Sequence, residues 1–91
     1  MPKVRVPRKN VTPGEVVTVL GRRLGPAYQV EANAGRVIVR KSPTAYATVS
    51  IASPPGASVF RVRGGGLLLL SMGTVRRVAD ALRRSPEFRS L

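Results

Sequence analysis

The sequence predicts a two-layer α+β domain in which two helices cover one face of an antiparallel sheet of four to six strands. The chain has 91 residues, the size of one small domain. Apolar residues recur at helical spacing near both ends of the chain and at a period of two between them. The middle segments are joined by short turns, which favours antiparallel neighbours. The predicted order is β-α-β-β-β-β-(β)-α, within one domain over residues 1–91.

The first helix is predicted over residues 13–24 from its end signals. Thr12 is a good N-cap, Pro13 suits the first helical position, and Glu15 stands where a capping-box carboxylate reaches back. Gly25 followed by Pro26 is a typical stop signal.

Alternating polar and apolar residues predict the strands, at residues 3–6, 28–32, 36–41, 45–51 and 59–63. The Gly64-Gly65-Gly66 triplet is predicted to form a wide hairpin turn or a bulge. It is not predicted to bind phosphate, because no Lys-Ser/Thr pair follows it. Residues 67–71 are a further candidate strand after this turn.

The second helix is predicted over residues 74–84, where four apolar side chains form a stripe (Val75, Val78, Ala79 and Leu82). Ser71 or Thr74 is expected to cap its start. Ser85 precedes proline, which marks its end. Residues 86–91 are expected to be a frayed tail unless Phe88 or Leu91 docks back. The resulting order of elements resembles one repeat of the TATA-binding-protein fold. That resemblance carries no sequence motif and implies no function.

The composition argues against an enzyme. The chain has no Cys and no His, so it lacks thiolate nucleophiles and the usual general base, and no metal site or cofactor is expected. Its only acidic residues are Glu15, Glu31, Asp80 and Glu87, and their spacing provides no carboxylate pair. Sixteen Lys and Arg against these four acids give a net charge of +12, which favours an anionic partner.

Alternation predicts which side chains share the sheet face that the helices leave uncovered. The predicted nucleic-acid-binding residues on that face are Lys3, Arg5, Arg36, Arg40, Tyr46, Arg61 and Arg63. Guanidinium groups pair with phosphates, and Tyr46 offers one stacking platform. The alternative is an ordinary solvated face, because every exposed strand needs polar residues. A sheet that stacks several bases is not expected with so few aromatic residues.

A second basic cluster lies on the predicted second helix, at Arg76, Arg77, Arg83 and Arg84. Asp80 stands three or four residues from each of them, so one interpretation is a surface charge network of small energy. The other is that this helix flanks the polyanion site.

An apolar run at Leu67, Leu68, Leu69 and Leu70 is a candidate oligomer interface. In a strand it would point leucines to both sides, and a second chain in a homodimer would cover one of them. Burial within the monomer is the alternative. The run is far shorter than the roughly 20 residues that cross a bilayer, and no signal peptide is apparent, so a cytoplasmic location without membrane contact is expected.

The function predicted from these observations is a non-enzymatic module that binds a polyanion, with nucleic acid as the favoured partner. The alternative is a protein-interaction or assembly module, acting as a homo-oligomer or as an adaptor for an acidic partner, with no nucleic-acid role. The charge and its alternation favour the first, whereas the leucine run and the scarcity of aromatic residues favour the second.

Overall fold

The computed structural model describes residues 3–66 and 68–89, without the side chains of residues 66–70. It confirms the predicted α+β fold, with five antiparallel strands and two helices. The strands are β1 (Lys3–Val6), β2 (Gln29–Asn33), β3 (Arg36–Ser42), β4 (Ala45–Ala52) and β5 (Ser58–Gly66). The helices are α1 (Pro13–Leu24) and α2 (Leu68–Arg84), and a short 3-10 turn follows at Pro86–Phe88.

The sheet has the strand order β1-β5-β4-β3-β2, so the first strand along the chain pairs with the last. Every neighbouring pair is antiparallel. Helix α1 packs against β2 and β3, and α2 packs against β5, β4 and β1. Both helices contact the apolar members of the strands, which leaves the polar members on the other face.

The first helix begins as its end signals predict. The side-chain oxygen of Thr12 accepts a hydrogen bond from the backbone N–H of Glu15, with a donor–acceptor distance of 3.2 Å. Val11 and Val16 are both buried and occupy the two positions of a hydrophobic staple. The carboxylate of Glu15 lies 2.9 Å from the guanidinium of Arg8, so this acid also ties the incoming loop to the helix.

The second helix begins earlier than predicted, at Leu68, and the expected strand over residues 67–71 is wrong from residue 68 onward. Leucine and methionine are strong helix formers, which favours a helix here. The buried stripe continues from Val78 toward the N-terminus of the helix, through Thr74 and Ser71. Because Thr74 and Ser71 are polar, a pattern of apolar residues does not reveal this part of the stripe. These two residues lie inside the helix, so neither is its N-cap.

The glycine triplet is also different from its prediction, because Gly64 to Gly66 continue β5 and pair with β4. A Cβ atom on Gly64 would lie 2.6 Å from the side-chain oxygen of Ser71, on α2. Glycine in a strand marks a close approach of another element, and here α2 lies directly on the strand. The triplet is a packing surface and not a turn.

The core lies between the helices and the sheet, and the C-terminal segment closes it. Phe88 is fully buried, with its ring centroid 5.2 Å from that of Phe60 on β5. The two rings are tilted by 59°, and an aromatic pair at this distance adds to the gain from burial. The expected frayed tail is therefore corrected for residues 86–89, which fold back through Phe88. Residues 90 and 91, including Leu91, lie outside the described residues.

Candidate functional site

The sheet face that neither helix covers is called the helix-free face below. Antiparallel partners share a face, so the strand register fixes its members. Lys3 lies opposite Arg61, and Arg61 lies opposite Ser50. All seven residues predicted from alternation lie on this face: Lys3, Arg5, Arg36, Arg40, Tyr46, Arg61 and Arg63. The structure places the six cations among them in two groups rather than in one continuous patch, and Tyr46 lies on β4 between the groups.

The first group is the basic corner, formed by Lys3 and Arg5 on β1 and Arg61 and Arg63 on β5. All four side chains are exposed. Lys3 and Arg61 are direct cross-strand partners, so their Cβ atoms are about 5 Å apart. Like charges at this position are destabilising. The fold therefore holds positive charge together on this edge against its own repulsion.

The second group lies on β3 and is partly neutralised. Arg40 forms an ion pair with Glu31 on β2, in contact distance across the face. Arg36 is exposed at the other end of the same strand. Between the two groups, β4 contributes the hydroxyl groups of Thr48 and Ser50, which are half-buried. The face thus has cations on both sides of an uncharged, hydrogen-bonding strip.

The acidic residues explain why the basic corner is uncompensated. All four acidic side chains form ion pairs elsewhere: Glu15 with Arg8, Glu31 with Arg40, Asp80 with Arg83, and Glu87 with Arg22 and Arg23. None of these pairs involves β1 or β5. Each acid lies beside a loop, a helix or β3, so the four cations of the corner have no carboxylate to pair with among the acidic side chains.

The fold alters the protonation of Glu87. A hydrogen bond from its own backbone N–H holds the pKa of Glu87 below its ordinary value of 4.5, and Arg23 and Arg22 act in the same direction. Partial desolvation opposes them. Arg22 and Arg23 lie 3.2 and 3.5 Å from this carboxylate, so it offsets part of the positive charge at the end of α1.

Tyr46 lies across the backbone of Gly65, its direct partner on β5. A Cβ atom at Gly65 would lie only 2.2 Å from Cε2 of the tyrosine ring. Glycine is therefore required there for the ring to take this position. Tyr46 also lines an open groove of 770 Å³ together with Ile38, Arg40 and Lys41. Sequence reasoning missed Gly65 and Lys41, although a glycine in a strand beside an aromatic partner is a readable signal.

The second basic cluster lies on the opposite side of the molecule. Val78 and Leu82 of α2 are buried against the sheet, and the four arginines stand on the far side of the helix: Arg76, Arg77, Arg83 and Arg84. Three of them line a groove of 430 Å³ with Arg23. The helical layer and the sheet separate these arginines from the helix-free face, and a role as a flank of the polyanion site stays a prediction.

The candidate oligomer interface changes with the structure around it. The outer strands of the sheet are β1 and β2, so the leucine run does not form a terminal strand. Leu68, Leu69 and Leu70 belong to the first turn of α2. Leu67 and the side chains of the other three lie outside the described residues, and a leucine-mediated homodimer stays a prediction.

No cluster of three or more metal-ligating side chains occurs within residues 3–66 and 68–89. In the same part of the chain, no helix has the length and apolar character needed to cross a bilayer. Comparison with known proteins finds no matching family model, no similar curated protein and no similar solved structure.

Proposed function

We propose that the helix-free face binds a polyanion, and that this polyanion is nucleic acid held by its phosphate backbone. The observation that carries the proposal is the basic corner, where Lys3 and Arg61 face each other across two strands. A phosphate chain would relieve this repulsion, and each arginine can pair with a phosphate through two hydrogen bonds. All four acidic side chains are engaged elsewhere, so an external anion has no internal competitor at this edge.

The shape of the face favours a polymer over a small anion. The cations lie on β1, β5 and β3, and the distance from β1 to β3 across the sheet is about 14 Å at the usual strand spacing. Thr48 and Ser50 lie between them and can donate hydrogen bonds to phosphate oxygens. Contacts of this kind provide affinity without reading sequence.

The experiment is a titration of labelled DNA and RNA oligonucleotides at several salt concentrations. Five of the six cations predicted for this face lack an acidic partner, because Arg40 is paired with Glu31. Neutralising five phosphates would give a slope of log affinity against log salt of about −4.5 for duplex and about −3.5 for single strands. Absence of micromolar binding at low salt would contradict the proposal.

Two variants of equal charge show whether the face, or the net charge alone, is responsible. The corner variant carries Lys3→Gln, Arg5→Gln, Arg61→Gln and Arg63→Gln. The helix variant carries Arg76→Gln, Arg77→Gln, Arg83→Gln and Arg84→Gln. We expect the corner variant to reduce the slope by about three and the helix variant by less than about one. Equal losses in the two variants would show that binding follows the +12 charge and not this face.

A further inference from the structure

The contact between Tyr46 on β4 and Gly65 on β5 lies beyond the part of β5 that pairs with β1. It fixes the position of an aromatic ring on the helix-free face. The ring rests on the Gly65 backbone, where any side chain would displace it. An aromatic residue covering a glycine on the neighbouring strand also stabilises a sheet by itself. Sheet stability alone does not explain the groove and the cations that surround the rest of the ring.

The rest of the ring lines the open groove of 770 Å³, a volume within the range of small-ligand sites. Ile38 contributes an apolar wall, and Arg40 and Lys41 contribute positive charge at its rim. An aromatic ring with an apolar neighbour and nearby cations matches the chemistry of a nucleotide, which has a flat base and an attached phosphate. A duplex does not fit this site, because its base faces are already stacked on one another.

The cations around Tyr46 also lie at the distances that a bound strand needs. Arg40 is its direct partner on β3, at about 5 Å between Cβ atoms. Arg63 is a diagonal neighbour on β5, at about 7–8 Å, and belongs to the basic corner. A base stacked on Tyr46 would therefore have its flanking phosphate within reach of Arg63, which connects this site to the rest of the corner.

We propose that Tyr46 stacks one unpaired nucleobase in this groove, with Gly65 as the positioning residue and Arg63 as the phosphate contact. This rests on the function proposed above and adds to it a preference for single-stranded nucleic acid over duplex. One stacked base is typically worth a several-fold to more than hundredfold gain in affinity, and the phosphate contacts supply the remainder.

The test compares two probes of equal charge, a twelve-nucleotide thymidine oligomer and an abasic oligomer of the same length. We expect the wild-type protein to bind the thymidine oligomer at least about fivefold more tightly, and Tyr46→Thr to bind both equally. Tyr46→Phe is the matched control and should keep the preference, because it retains the ring. Circular dichroism establishes that each variant is folded.

A second measurement does not depend on the folding of a Tyr46 variant. The chain has two Tyr and no Trp, so Tyr28→Phe leaves Tyr46 as the only strong fluorophore. The thymidine oligomer should quench its emission, and the abasic oligomer should not. Equal binding of both probes by the wild type, without quenching, would overturn the stacking proposal and leave polyanion binding standing. No binding of either probe would overturn both.

Discussion

The two basic surfaces of this molecule use the same residue type in opposite electrostatic settings. On the outer side of α2, Asp80 lies 3.1 Å from Arg83, and nearby Glu87 forms ion pairs with Arg22 and Arg23 of α1. On the basic corner, Lys3 faces Arg61 without any acid. The net charge of the chain, +12, does not distinguish these two surfaces. The placement of the four acids distinguishes the α2 surface, where one arginine is paired with an acid, from the basic corner, where no cation is paired with one.

The largest expected effect comes from Phe88→Ala. This change removes a fully buried ring that packs on Phe60, and we expect it to lower the free energy of unfolding by about 3–5 kcal/mol. We also expect it to loosen the ion pairs of the neighbouring Glu87 with Arg22 and Arg23. Urea denaturation measures the loss. A change below about 1 kcal/mol would mean that the C-terminal segment does not hold the helical layer in place.

Gly64→Val should destabilise the protein less than Phe88→Ala does. Its new side chain would push α2 away from the sheet. The new side chain would overlap Ser71 and Val75, whose atoms lie 2.6 and 3.2 Å from the position of its Cβ. Overpacking of this kind costs about 1–3 kcal/mol. Gly73→Ala is the control, because an added Cβ meets nothing within 4 Å there. Equal stability of the two variants would contradict the close packing of α2 on β5.

Charge reversal compares the two surfaces most directly, because the expected change in the free energy of unfolding has opposite signs on them. Arg61→Glu replaces a like-charge pair with an opposite-charge pair and should raise the free energy of unfolding by about 0.5–1 kcal/mol. Arg83→Glu breaks its ion pair with Asp80 and should lower it by about 0.5 kcal/mol. Chemical denaturation at low salt measures both. Shifts of the same sign would show that the two settings are not different.

The smallest expected effect is on the pH dependence of stability, through the carboxylate of Glu87. The pKa of Glu87 is lowered in the folded chain, so its stabilising contribution is complete above the ordinary value of 4.5 and is lost as the pH falls through the lowered folded value. Glu87→Gln should therefore be less stable at neutral pH and should lose less stability on acidification. Unfolding curves at pH 6 and at pH 3, about one to two units either side of the ordinary value, compare the two proteins. Parallel pH profiles would contradict the coupling.

Local signals were sufficient for the fold and for the face that carries the basic residues. Alternation in the strands correctly predicted that Lys3, Arg5, Arg61 and Arg63 share one surface, because a strand has only two sides. The end signals of α1 were likewise complete within a few residues. These features depend on neighbours in the sequence, which is why the sequence reveals them.

The errors concern features that depend on packing between distant segments. The beginning of α2 was missed because its stripe includes the polar residues Ser71 and Thr74, which only tertiary contact buries. The glycines of β5 looked like a turn, although α2 and Tyr46 require them in a strand. The position of the α2 arginines behind the sheet, and the pairing of Glu31 with Arg40, also follow from the three-dimensional arrangement.

The pairing of β1 with β5 has a consequence for the order in which the molecule assembles. These are the first and last strands along the chain, and nearly the whole sheet lies between them in sequence. Contacts between such distant segments form late and slow the folding of a small domain. During synthesis, β1 remains unpaired until β5 has emerged from the ribosome. The four cations of the basic corner therefore come together only after β5 has been synthesised.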